Sequence, residues 1–112
     1  SYFNRPDGYA CQLLKELLVK TLEESSAAYK YLLPLPDPHY YKYGWSPDYL
    51  PLFEDVARRC GATSLNVLPE LLAPGKRLVS KLHLVNEHFS EFGHQVLARF
   101  LEGKLKPIAE VK

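Results

Sequence analysis

Helical and extended patterns alternate along this chain, and no other feature of the sequence constrains its fold as strongly. In order, the residues predict a helix, a strand, a second helix, a second strand, a helical turn and a last helix. Strands that alternate with helices are typical of a parallel sheet with helices on its faces. Two parallel strands make a poor sheet alone, because parallel strands are normally buried inside a larger sheet. The sequence therefore predicts an α/β fold that forms part of a larger, doubly wound parallel sheet.

The first helix is predicted over residues 8–25, with Asp7 as its N-cap. A strand over residues 29–33 follows and is stopped by Pro34 and Pro36. The helix prediction rests on apolar residues that recur at three- and four-residue spacing and form one wide stripe. These residues are Ala10, Leu13, Leu14, Leu17, Leu18 and Leu22.

The second helix is predicted from its proline and its glycine. An N-cap at Asp48 places Pro51 in the first turn, where a helix needs no backbone N–H. Gly61 is expected to end the helix in the left-handed conformation. This helix should cross between two parallel, neighbouring strands. The other predicted elements are a loop over residues 36–49, a strand over 64–68, a helical turn over 69–72, an extended piece over 82–84, and a helix over 91–101 that stops at Gly103.

Length and composition are those of a single globular domain. The chain has 112 residues, of which 46% are hydrophobic and 24% are charged. Its 14 Lys and Arg residues nearly balance 13 Asp and Glu residues, so no basic surface for nucleic acid is expected. No apolar run reaches the roughly 18–20 residues that span a bilayer, and no signal-peptide pattern is visible. We expect one α/β unit over residues 1–112 without a nucleic-acid partner or a membrane span. The sequence indicates no particular cellular compartment.

The sequence contains no pattern for a metal or a cofactor. Cys11 and Cys60 lack partners at metal-ligand spacing, and two buried thiols are favoured over a disulfide. The spacings between His83, His88 and His94 do not suit two ligands on one helical face. A Gly-rich phosphate-binding loop is also absent from the sequence. We therefore predict no metal site and no cofactor.

The chain contains no methionine and begins at Ser1. Either an initiator was removed before this small residue, or the chain is a piece of a longer polypeptide. Because two strands are too few for a sheet, we favour the second interpretation. The fold would then be a partial doubly wound (flavodoxin-like) sheet with flanking helices. Its partner would be the missing N-terminal half of the same domain, or a second chain.

A histidine lies two residues before a potential helix cap. Ser90 is positioned to bond the free backbone N–H groups at the start of the last helix. Such a cap would fix the direction of the preceding loop and hold the imidazole of His88 on a rigid support. A general base requires that kind of support. The alternative is that His88 is an ordinary, partly exposed loop histidine.

The stretch from Asn86 to His94, Asn-Glu-His-Phe-Ser-Glu-Phe-Gly-His, resembles the last sequence block of SGNH/GDSL-type esterases and acyltransferases. In that block an acidic residue lies two or three positions before the catalytic histidine, and a Gly-His pair opens the final helix. In this chain Gly93 and His94 form that pair. The similarity extends over roughly residues 32–101 and includes the predicted strand that ends before Pro69.

The resemblance implies an ester hydrolase or O-acyltransferase in which His88 deprotonates a serine. The serine and the oxyanion donors would come from earlier blocks of the family, which this chain does not contain. Asn86 stands at the acidic position, and Glu87 is the nearest carboxylate. An amide in place of the acid typically costs orders of magnitude in rate. The implied catalytic residues are His88, Asn86 and Glu87, and the implied substrate is an acyl ester or a carbohydrate ester.

Aromatic residues are concentrated in the aromatic segment, residues 37–45. Large rings are costly to expose, so they either cover the core or line a ligand groove. In open α/β sheets, ligands bind beyond the carboxyl ends of the strands, and this segment leaves such an end. Both interpretations remain open. The residues assigned to substrate binding are Tyr40, Tyr41, Tyr43 and Trp45.

Three functions are compatible with these patterns. The first is the C-terminal part of an SGNH-like ester hydrolase or O-acyltransferase that supplies His88 as the base. The second is a non-catalytic SGNH-like binding or scaffold module that has lost its acid at Asn86 and uses the aromatic segment. The third is a small, self-standing α/β interaction domain with the same segment as its contact surface.

Overall fold

The computed structural model describes residues 8–84 and 88–111 of the chain. Helices dominate these residues, and two short strands pair in parallel. The chain has a mixed, helix-rich α/β fold with a two-stranded sheet, which confirms the predicted class at this coarse level. In chain order the elements are α1 (Tyr9–Glu24), β1 (Tyr31–Leu32), α2 (Pro38–Lys42), α3 (Leu50–Cys60), β2 (Thr63–Ser64), α4 (Leu68–Leu72), α5 (Lys76–Val79) and α6 (Glu91–Val111).

The described residues form two compact units, each built from two separate stretches of chain. The first, which we call the sheet unit, contains the described residues up to Pro34 and those from Ser46 to Asn66. It holds α1, β1, α3 and β2. The second contains Leu35–Trp45 and the described residues from Val67 onwards, with the other four helices. We call it the histidine unit because all four histidines of the sequence lie in it.

The sheet consists of β1 and β2, which run parallel as predicted. Tyr31 pairs with Thr63, and Leu32 pairs with Ser64. The N–H of Thr63 donates to the carbonyl of Lys30 at 2.9 Å. Helix α3, which lies between the strands in sequence, packs against both of them. β1 lies inside the predicted strand but has two residues instead of five, because pairing with a neighbour sets strand length more than local preference does. The strand predicted over 64–68 is wrong beyond Ser64, because β2 is Thr63–Ser64 and Leu68 begins α4.

The core of the sheet unit joins α1 to α3 through aliphatic side chains. Val19 and Leu22 of α1 pack with Val56 of α3, which is completely buried. Removing this apolar surface from water stabilises the contact between the helices. Partly buried residues that pack around this cluster are Leu18, Leu32, Leu52, Cys60 and Ala62.

Part of the predicted apolar stripe of α1 is exposed. Leu13 is 41% exposed and Leu17 is 55% exposed, although both belong to the predicted apolar stripe. The stripe is wider than the surface that α3 covers within this unit. The N-cap predicted at Asp7 lies outside the described residues. The buried side of the helix runs through Cys11, Val19 and Leu22.

Helix α3 begins and ends as its proline and its glycine predict. Pro51 lies in the first turn. Gly61 has φ 66° and ψ 28°, the left-handed conformation, and its N–H donates to the carbonyl of Ala57. The predicted cap at Asp48 is wrong, because Tyr49 is the N-cap and its backbone is already helical. Asp48 therefore lies one residue before the position from which a side chain caps a helix.

Helix α2 lies inside the segment that was predicted as a loop. It begins after Asp37, whose carboxylate accepts the N–H of His39 at 2.9 Å. Pro38 occupies the start of the helix. An Asp N-cap followed by Pro in the first turn is an established helix start. The prediction of a loop over the whole of residues 36–49 is therefore wrong.

Helix α6 continues beyond its predicted end. It runs from Glu91 to Val111 and passes through Gly103, so the predicted stop there is wrong. A Cβ atom at Gly103 would meet no atom within 4 Å. Glycine inside a helix costs about 1 kcal/mol relative to alanine, and the flanking Leu, Glu and Lys residues favour the helix enough to offset that cost. The short helix α5 was not predicted.

The described part of the chain contains no helix that is both long and apolar enough to cross a membrane. Both cysteines are thiols. Cys11 is buried and Cys60 is half-buried.

Candidate functional site

A short antiparallel contact stands before α6 in the histidine unit, and it positions the histidine block. His83 pairs with Phe89. The N–H of Leu84 donates to the carbonyl of His88 at 2.7 Å, and the N–H of Ser90 donates to the carbonyl of Leu82 at 2.9 Å. These bonds flank the pair, so His83 and Phe89 occupy a non-hydrogen-bonded position, where opposite side chains lie closest together. Their ring centroids are 4.3 Å apart.

A row of rings extends from this pair to α2 and to α6. Tyr41 of α2 stacks on His83 at 5.3 Å with the two planes 15° apart. On the other side, Phe89 meets the ring of His94 edge to face at 6.0 Å. Within the histidine unit, the aromatic segment is therefore connected to the histidine block through Tyr41 and His83.

Ser90 caps α6, as predicted. Its Oγ accepts the N–H of Gly93 at 3.1 Å. The same hydroxyl donates to the carbonyl of Lys81. Ser90 thus satisfies one free N–H of the first turn and also ties the helix start to the preceding segment.

Gly93 is required by close packing. A Cβ atom there would lie 2.3 Å from the carbonyl oxygen of Leu82 and 2.7 Å from a ring carbon of Phe89. The next residue, His94, is exposed. Its Nδ1 lies 3.0 Å from the carbonyl oxygen of Ser90 and can donate to it. The Gly-His pair therefore serves the packing and the first turn of the helix.

His88 is exposed next to this fixed pair. Successive side chains of an extended segment point to opposite sides, so His88 points away from the face on which Phe89 meets His83. The carbonyl of His88 is held by Leu84. The two other residues predicted for catalysis, Asn86 and Glu87, lie outside the described residues.

The four aromatic residues assigned to substrate binding divide into two pairs. Tyr40 and Tyr41 are buried, at 7% and 6% exposure. Tyr43 and Trp45 are exposed, at 69% and 50%. The interpretation that the rings cover the core therefore applies to Tyr40 and Tyr41. Tyr43 and Trp45 face solvent, and the assignment of these residues to substrate binding stays a prediction.

An acid–histidine pair in the aromatic segment was not predicted. Nδ1 of His39 donates to the carboxylate of Asp37, which also caps α2. Partial burial raises the pKa of Asp37, but the hydrogen bonds from His39 and the charges of His39 and His83 outweigh burial and leave the pKa below its ordinary value of 3.8. The sequence signal was the Asp-Pro-His triplet, in which a capping Asp lies two residues before a histidine.

The exposed rings pack around this pair. The ring of His39 stacks on Trp45 at 4.9 Å with the planes 19° apart. Tyr43 lies at 5.4 Å from the same imidazole. Tyr40, from the buried pair, meets Trp45 edge to face at 5.8 Å. His39 is thus oriented by a carboxylate and covered by two rings.

A cavity in the described part of the histidine unit offers no histidine. It has a volume of about 490 Å³ and lies between α4 and α6, and its lining includes Ala73, Phe100 and Arg99. Among the described residues, no three His, Cys, Asp or Glu side chains come together in a way that could hold a metal ion.

Comparison of this sequence with models of protein families and with curated proteins, and of its structure with solved structures, gives no match.

Proposed function

We propose that this chain is the C-terminal part of an SGNH-like ester hydrolase or O-acyltransferase and supplies His88 as the general base. The observation that carries the proposal is the exposed imidazole of His88 beside a fixed backbone. The His83–Phe89 pair and the Ser90 cap hold the chain on the carboxyl side of the loop. A base must be both accessible and held in place, and this arrangement favours both properties.

The described part of the sheet unit is consistent with a piece of a larger doubly wound sheet. Two parallel strands with a helix packed on both are the repeating element of such folds. Strands of two residues offer little pairing of their own. In addition, α1 carries an exposed apolar row of Tyr9, Leu13 and Leu17, the last two at 41% and 55% exposure. A further layer of the same domain would cover such a row.

The proposed reaction uses a serine from a segment outside this chain. Its Oγ attacks the carbonyl carbon of the ester while His88 accepts the hydroxyl proton, and His88 returns that proton to the departing alkoxide oxygen. Water then attacks the acyl-enzyme, or a hydroxyl of an acceptor does so in acyl transfer, with His88 again moving the proton. Asn86 and Glu87 are the proposed orienting residues for the second ring nitrogen.

The test is ester turnover by the protein that joins this chain to the nucleophile-bearing segment, with p-nitrophenyl acetate as substrate. We expect His88→Ala to lower turnover by about 10²–10⁴-fold, the usual contribution of a general base. His94→Ala is the matched control, because it removes an exposed histidine whose Nδ1 lies next to the Ser90 carbonyl at the start of its own helix. Asn86→Asp should raise turnover, since a carboxylate stabilises the imidazolium better than an amide does. Unchanged turnover in a folded His88→Ala protein contradicts the proposal.

A second function, a non-catalytic binding module, is favoured by a different observation. Tyr43 and Trp45 are exposed although neighbouring rings of the same segment are buried. Rings that stay in solvent beside a covered core are typical of a contact surface. A protein that shows no ester turnover in any variant but binds a ligand through these rings would support this function over the first.

A further inference from the structure

The two exposed rings of the aromatic segment form a polar cluster with the acid–histidine pair. The members of this cluster, which we call the Trp45 cluster, are Asp37, His39, Tyr43 and Trp45. Gly44 lies between the two exposed rings with φ 66°, and a Cβ there would meet no atom within 4 Å. Its left-handed turn is thus the reason for glycine at this position. The turn sets the directions of the side chains on either side of it.

The cluster is held in place before any ligand arrives. The carboxylate of Asp37 accepts hydrogen bonds from the backbone N–H and from the ring Nδ1 of His39. The imidazole in turn stacks on Trp45 at 4.9 Å and lies 5.4 Å from Tyr43. Rings that are already oriented lose little conformational entropy on binding, so contacts with them contribute more to affinity.

The chemistry of the exposed atoms selects the ligand. The Asp37 side chain is 50% exposed. When ionised, its carboxylate accepts hydrogen bonds and has no proton to donate. An anionic ligand would be repelled by this carboxylate. The faces of the indole and phenol rings carry negative potential and attract polarised C–H groups. A pyranose has C–H groups on its faces, which suit the aromatic rings, and hydroxyl donors around its edge, which suit the carboxylate.

We propose that the Trp45 cluster binds a neutral saccharide, with sugar C–H groups against the exposed parts of Trp45 and Tyr43 and hydroxyl groups donating to Asp37. This inference rests on the binding role proposed for the aromatic segment and names its ligand class. If the chain acts on esters, the saccharide would be the alcohol portion of the substrate.

The chain offers a direct readout, because Trp45 is its only tryptophan. The experiment is a titration of Trp45 fluorescence with four neutral oligosaccharides, the hexamers of glucose, xylose, mannose and N-acetylglucosamine. We expect a saturable change with at least one of them. Tyr43→Ala should weaken that binding by about tenfold, the loss expected for one stacked ring. Tyr9→Ala, which removes a tyrosine that is 81% exposed in the sheet unit, is the matched control and should leave the binding unchanged.

The absence of a saturable change with all four sugars overturns the proposal, as does binding that Tyr43→Ala leaves unaltered. Tight binding of a single-stranded oligonucleotide in place of the sugars would also overturn it. Asp37→Asn is a second variant. It should weaken sugar binding and leave the circular dichroism spectrum unchanged. Trp45 fluorescence reports sugar binding independently of ester turnover. If His88→Ala loses turnover but still binds sugar, the saccharide site and the proposed catalysis are tested separately.

Discussion

The sheet unit and the histidine unit place their helices by different means. In the sheet unit, neither α1 nor α3 has a side-chain hydrogen bond at its N-cap, and packing around Val19 and Val56 joins the two. In the histidine unit, Asp37 caps α2 and Ser90 caps α6, each through a side-chain oxygen. The first unit joins its helices through apolar faces, whereas the second fixes the starts of two of its four described helices, α2 and α6, with directed hydrogen bonds.

Directed hydrogen bonds are needed where a particular atom must be positioned accurately. Apolar packing depends weakly on direction, so it brings elements together without aiming a particular atom. Hydrogen bonds have strict angles and distances, and they orient the side chain or backbone that they join. The groups with possible chemistry, His88 and the Asp37–His39 pair, lie in the unit that uses them.

The largest expected effect tests whether the histidine unit still depends on an aliphatic core. Leu82 is completely buried, and Leu82→Ala should lower the free energy of unfolding by about 2–5 kcal/mol. Leu84, two residues away and 56% exposed, provides the control, since Leu84→Ala should change stability by less than about 0.5 kcal/mol. Urea denaturation measures both. Equal effects of the two substitutions would show that rings and caps, not aliphatic burial, stabilise this unit.

The next effect compares two glycines of one helix. Gly93→Ala forces a Cβ onto the backbone at Leu82 and should destabilise the protein by about 1–3 kcal/mol. Gly103→Ala adds a methyl group in open space and should stabilise it by about 0.5–1 kcal/mol. Thermal melts of the two variants should therefore move in opposite directions. A stabilising Gly93→Ala would refute the close contact before α6.

The third effect tests the directed hydrogen bonds themselves. Ser90→Ala removes the cap of α6 and the bond to Lys81, and should cost about 1 kcal/mol of unfolding free energy. Ser90→Thr keeps the hydroxyl and should retain most of that stability. Hydrogen exchange of the Gly93 amide should quicken in the alanine variant alone. An unchanged exchange rate would mean that Ser90 does not cap the helix in solution.

The smallest effect is a pH dependence at Asp37. Because its pKa is lowered in the folded protein, its contribution to stability is complete above the ordinary value of 3.8. The contribution is lost as the pH falls through the lower, folded value. Carbon-13 NMR titration of the carboxyl group should show the lowered pKa, and His39→Ala should move it back towards the ordinary value. Asp55→Asn is the control and should leave the titration of Asp37 unchanged.

The helices and the parallel pairing of the sheet unit could be predicted from sequence, because their signals are local or periodic, whereas the predicted N-cap of α3 and the predicted strand lengths were wrong. Pro51 and Gly61 mark the ends of α3 through their own backbone restrictions. The parallel pairing follows from the order of elements. The exposure of Leu13 and Leu17 could not be predicted, because it depends on which neighbouring surface is available to cover them.

The histidine unit was predicted less completely. The Ser90 cap was found because it is a local sequence pattern. The extent of α6 was missed because Gly103 stops a helix only where the backbone turns left-handed, which sequence does not specify. The pairing of His83 with Phe89 and the stacking of His39 on Trp45 depend on tertiary contacts, so spacing along the chain could not reveal them. The catalytic assignment of His88, Asn86 and Glu87 stays a prediction.

Gly93 also limits how related sequences can diverge. Since the missing side chain makes room for the carbonyl of Leu82 and the ring of Phe89, a larger residue can be fixed only if the helix start moves outwards. Such a shift would break the bond between Ser90 and the Gly93 amide. Related sequences that keep the serine cap of α6 should therefore keep glycine three positions after the serine, while surface residues around it vary. The spacing Ser-x-x-Gly is expected to persist after overall sequence identity has decayed.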